Sequence, residues 1–85
     1  MPHDPQPDVR FQEFLFLQAQ NAGLFLGQIP HPATGEKSIN LRAAKSVLDS
    51  LEMLENKTQG NLTNDEQKLL TAALLNLRSL YTEAS

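Results

Sequence analysis

The chain has 85 residues, seven Lys and Arg against ten Asp and Glu, a net charge of −3 and no cysteine. Its length bounds it to one small domain, and the missing cysteine excludes disulfides and thiolate metal sites as sources of stability. The cations Arg10, Lys37, Arg42, Lys45, Lys57, Lys68 and Arg78 are scattered without a run or a stripe; this argues against a nucleic-acid partner, which is recognised by clustered cations that displace counterions from phosphates.

The opening MPHDPQPDVR carries three prolines and two aspartates. Proline fixes φ and has no N–H, so residues 1–8 are expected to form a disordered, proline-rich tail ahead of a single helical domain over residues 9–85. A secretory signal would need a basic end followed by an apolar run, and the opening has neither in order. The most apolar segment, FLFLQAQNAGLFLG, is broken by Gln18, Gln20 and Asn21 and falls short of the roughly 20 apolar residues of a membrane span. The expectation is a soluble, cytoplasmic protein with no membrane partner.

Asp8 is placed to cap a first helix over about Val9 to Leu26. In helical projection Phe11, Phe14, Leu15, Ala19, Ala22, Phe25 and Leu26 share a main face that includes Gln18. Phe16, Leu17 and Leu24 lie elsewhere, and Leu17 and Leu24, seven residues apart, stack on one line. A helix that is apolar on two sides wants two sets of neighbours, and a three-helix domain supplies one. Phe16, Leu17, Gln18 and Leu24 are therefore the candidate interface of a two-fold homodimer. A buried Gln18 would need a polar partner, which a symmetry-related residue could supply.

The connector GQIPHPATGEKS, residues 27–38, reads as structured. Gly27 suits the position after a helix end, Pro30 stops continuation, and Pro32 fits the second position of a β-turn with Gly35 just beyond. A second helix is expected from near Ile39–Leu41 to Lys57, capped by Ser38 or Asn40, with Leu41, Ala44, Val47, Leu48, Leu51 and Leu54 on one side. A third should run from Asn64 to about Thr82, with Leu69, Leu70, Ala73, Leu74, Leu77, Leu80 and Tyr81 on one broad face. The fold class is thus all-α: three helices, the last two an antiparallel hairpin, assembled as a homodimeric bundle.

The corner between the last two helices, KTQGNLTNDE, is explained mostly by architecture. Gly60 can take the left-handed conformation at a helix end, Lys57 complements the partial negative charge of the C-terminal turn, and Thr63 with Glu66 forms a capping box. Asn61 is the residue least accounted for.

Three stretches, FLGQIPHPATGE (25–36), AAKSVLDSLEMLENKTQGNLT (43–63) and EQKLLTAALLNLRSLY (66–81), resemble the bacterial family known as domain of unknown function 1844. The run K-T-x-G-N-L is the most specific part. The resemblance covers nearly the whole chain after the tail and implies that the connector and the corner are family features. It implies no catalytic residue, since no activity is established for the family.

No catalytic constellation is apparent. His31, between two prolines, and His3, in the tail, are too few to build a metal site. There is no phosphate-binding glycine motif, and no serine or threonine has a base and an orienting acid in view. The reading is a non-catalytic interaction module without cofactor, self-associating through its first helix and open to an unidentified protein partner. The alternative is a small ligand-binding or regulatory protein using the connector (30–36) and the corner (57–63), with Lys57, Asn61, Arg78 and Tyr81 as candidate contacts to a ligand or partner.

Overall fold

A computed structural model of the chain describes residues 5–85. It holds three helices: α1 (Val9–Phe25), α2 (Leu41–Lys57) and α3 (Asn64–Ala84). Much of the expected proline-rich tail, residues 1–4, lies outside the described residues.

Each helix starts where a short polar side chain can receive its unpaired amides. Asp8 accepts from the Arg10 N–H, Asn40 from the Ala43 N–H and Thr63 from the Glu66 N–H. Of the two caps open for α2, Asn40 is the one used.

The ends are equally local. At the end of α1 the Gln28 N–H donates to the Gly23 carbonyl (2.9 Å) and the Gly27 N–H to the Leu24 carbonyl (3.2 Å). With Gly27 at φ +74°, this is the paired six-to-one and five-to-two pattern of a Schellman ending. At the end of α2, Thr58 caps the helix, and the Asn61 N–H closes a turn onto the Thr58 carbonyl at 2.9 Å. Gly60, at φ +80°, occupies the left-handed position of that turn.

The three helices pack on one another pairwise. α1 with α2, and α2 with α3, are antiparallel neighbours, which leaves α1 and α3 parallel with their N-termini side by side. The core is made of Leu15, Ala22 and Leu26 from the first helix and its cap, Ala44, Val47, Leu48 and Leu51 from α2, and Leu70, Leu74 and Leu77 from α3. Phe11, Phe25, Leu41, Leu54, Leu62, Leu80 and Tyr81 close its margins. The radius of gyration is 14.3 Å, above the about 12 Å of a compact chain of this length. The shape is elongated, and its core is correspondingly thin.

Two details of the expected faces change. Phe14, placed on the main face of α1, is 45 % exposed, and Leu69, placed on the core face of α3, is 38 % exposed. The buried stripe of α1 is a narrow line through Leu15, Ala22 and Leu26, and Phe14 lies on its flank. Gln18 is half-buried rather than buried. No buried side-chain nitrogen or oxygen lacks a hydrogen-bond partner among the described residues, so Gln18 needs no symmetry-related group to satisfy it.

Candidate functional site

The outer face of α1 carries two of the four candidate interface residues, Phe16 and Leu17. Phe16 is 63 % exposed and Leu17 53 % exposed, and Val9, two turns earlier, is 65 % exposed. Leu24 is half-buried, and Gln18 lies on the bundle side of the helix. A shallow depression runs over this face, lined by Val9, Gln12, Glu13, Phe16, Leu17 and Gln20. Past Val9 and Gln12 it continues into a second depression, where Leu69 and the N-terminal turn of α3 form the far wall. Exposed Leu69 therefore extends the apolar surface from α1 onto α3.

The wall of that second depression is built on Glu66, which is only 9 % exposed. Its Oε1 accepts from the Thr63 N–H (3.0 Å) and from the Thr63 hydroxyl (3.1 Å), while its Oε2 accepts from the Asp8 N–H (3.0 Å). One carboxylate thus serves the first turn of α3 and the start of α1 together. Those donors, the Thr63 amide first and the Asp8 amide next, hold the Glu66 carboxyl below its ordinary value. Asp8 is lowered to about 2, chiefly by the Arg10 guanidinium, which pairs with it at 2.7 Å.

The connector is as structured as its sequence implies. The His31 N–H donates to the Glu36 carbonyl (2.8 Å), and the His31 carbonyl accepts from the Gly35 N–H (2.7 Å) and the Thr34 N–H (3.3 Å). His31 Nδ1 accepts from the Ala33 N–H at 3.1 Å. The two ends of the connector are tied by an Asn40 N–H to Phe25 carbonyl bond of 2.6 Å and by a bridge between Leu26 and Ile39. Its residues 28–38 are all exposed.

The four residues proposed to contact a ligand or partner are not gathered in one place. Lys57 and Asn61 sit at the corner, where the Asn61 amide reaches the Gln59 carbonyl at 3.4 Å. Arg78 and Tyr81 lie fourteen or more residues into α3, about 21 Å along its axis from the corner. Arg78 is engaged with Glu52 of α2 at 3.0 Å, and Tyr81 packs at the core margin.

Gly23 is a position that sequence reasoning passed over. It is buried in the last turns of α1, and the Ile29 side chain folds over it, with Cδ1 3.1 Å from where a Cβ would stand. A glycine inside a helix is about 1 kcal/mol less favourable than alanine, and that anomaly was the available signal for a close approach. Among the described residues no group of three or more acidic or histidine side chains is placed to hold a metal ion, and no helix is long and apolar enough to cross a membrane.

Residues 8–83 match the family described as Domain of unknown function (DUF1844). The chain belongs to that family. The matched span begins at the cap of α1 and ends one residue short of the last residue of α3, so the DUF1844 unit here coincides with the three-helix domain. No curated protein and no solved structure matches the chain.

Proposed function

We propose that this DUF1844 protein is a non-catalytic helical interaction module of the bacterial cytoplasm that self-associates through α1, most simply as a homodimer. The observation that carries the reading is the exposure of Phe16 and Leu17 on a helix that already contributes Leu15, Ala22 and Leu26 to the core. Full burial of a Phe or Leu side chain is worth about 1.5–3 kcal/mol each. A second copy supplies that burial, and a thin core leaves few other ways to gain it.

Light scattering after size exclusion tests the reading. The expected mass at micromolar concentration is twice that of the chain, returning to one chain in Leu17→Glu with helical circular dichroism retained. A wild-type protein that stays monomeric at tens of micromolar, with elution unmoved by Leu17→Glu, would overturn it.

One observation favours a second reading, a binding surface on the connector. Residues 31–36 are held by their own main-chain hydrogen bonds, yet present every side chain to solvent. A thermal-shift screen of metabolites checks it: stabilisation lost in Glu36→Ala supports it, and no shift with any compound counts against it.

A further inference from the structure

Self-association through α1 leaves open how the second copy lies, and the order of residues along the exposed stripe bears on that. At 100° per residue the stripe comprises Val9, Glu13, Phe16, Leu17, Gln20 and Leu24. Five of these are exposed and Leu24, at the edge, is half-buried. From the N-terminal end it runs apolar, acidic, apolar, apolar, amide, apolar. As apolar and polar positions the pattern is the same when read from the other end, with its midpoint between Phe16 and Leu17, and the two polar positions differ in being a carboxylate at 13 and an amide at 20.

Resting on the self-association reading, we propose that the second copy docks with its α1 antiparallel to the first, about a two-fold axis passing between Phe16 and Leu17. Reversal sets Phe16 against Leu17 of the other copy on both sides of the axis. Val9 then meets the other copy's Leu24, and the Glu13 carboxylate meets the other copy's Gln20 amide, a donor it can use. Every contact occurs twice, as an isologous interface requires.

The parallel alternative fails on charge. A two-fold axis parallel to the helices permits no stagger, so Glu13 would face Glu13 across a seam that excludes water. Like charges repel more strongly as the surroundings lose water. Glu13 is the only charged residue of the stripe, and it lies near the middle of the stripe's width, where neither copy could turn it to solvent.

The absence of cysteine makes disulfide trapping a clean test. Full-length Glu13→Cys and Gln20→Cys proteins are prepared singly, mixed and oxidised under mild conditions, with light scattering of each variant before oxidation. The expected result is a dimer by scattering, and a mixed 13-to-20 disulfide at least tenfold above either self-pair. A dimer that gives mainly 13-to-13 and 20-to-20 disulfides overturns the antiparallel arrangement and leaves self-association through α1 standing. A dimer that gives no disulfide of any kind places the contact on another surface and overturns both readings. A monomer in the unmodified chain also overturns both.

Discussion

The Asp8 N–H donates to Glu66 Oε2 at 3.0 Å across fifty-eight residues of sequence. It joins the first amide ahead of α1 to the side chain that completes the cap of α3. Two helix N-termini, each bearing unpaired amides and a partial positive charge, are held together by one carboxylate that satisfies donors from both. The entry of the chain into α1 is therefore fixed by a residue of the third helix, and the depression beside the exposed face of α1 has a fixed wall.

Acid should loosen this junction. The Glu66 carboxyl sits below its ordinary 4.5, owing to the Thr63 and Asp8 amides, so the folded state holds its proton less readily than the unfolded chain. Its stabilising contribution is complete above pH 4.5 and is lost as pH falls through the lowered folded-state value. Asp8, lowered from 3.8 to about 2 by Arg10, acts in the same sense over the interval down to pH 2. Urea unfolding between pH 7 and pH 2.5 should show stability falling below about pH 4.5, with a shallower fall in Glu66→Gln. An identical slope in the two proteins would contradict the assignment.

The capping box gives a second measurement. Thr63→Ala removes the acceptor of the Glu66 N–H, 3.2 Å away, and such a loss typically costs about 1 kcal/mol. In a domain of this size that corresponds to a melting temperature lower by about 4–8 °C. Thr63→Ser keeps the acceptor and should recover most of the difference. Glu66→Ala, which leaves the amides of both Thr63 and Asp8 without their partner, should melt below Thr63→Ala.

Two glycines of the α1 end should respond with opposite sign to alanine. Gly27 sits at φ +74°, and a Cβ there would stand 3.0 Å from Ile39 Cγ1. Gly27→Ala therefore combines left-handed strain with a clash and should destabilise by about 1–2 kcal/mol or more. Gly23 is helical, and its added Cβ would meet the side chain of exposed Ile29, tightly at Cδ1 (3.1 Å) and at ordinary contact distance at Cγ1 (3.5 Å). Gly23→Ala should stabilise by up to about 1 kcal/mol through helix propensity. Thermal melts of the two variants decide this, and a destabilised Gly23→Ala would mean that Ile29 cannot move aside.

The thin core should be unforgiving. Leu70 and Leu51 are essentially fully buried, and truncating such a leucine to alanine costs about 2–5 kcal/mol. A domain this small has little more than that in total. Leu70→Ala is expected to be largely unfolded by circular dichroism at 37 °C. Leu75→Ala, on the exposed side of α3, should change stability by no more than about 0.5 kcal/mol.

The features legible in the chain alone are local ones. Asp8, Thr63 with Glu66, and the glycines at 27 and 60 mark their helix ends because capping and left-handed turns depend on residues within about four positions of one another. The apolar periodicity of α2 and most of α3 carried through to the core for the same reason: a stripe at 3.6-residue spacing faces a neighbour wherever one exists. The remainder emerges only when the three helices pack. Periodicity put Phe14 and Leu69 on inward faces, yet both are partly exposed, since each lies at the edge of its face, beyond what the neighbouring helices cover. Lys57 and Asn61 share a corner in sequence and in space, whereas Arg78 reaches across to Glu52 instead of joining them. The second oxygen of Glu66 finds Asp8 only because α1 and α3 run parallel, and no local pattern encodes the pairing of residues that distant. Helix ends are settled by bonds between near neighbours in the chain; which apolar side chains remain uncovered is settled by how closely three cylinders can approach.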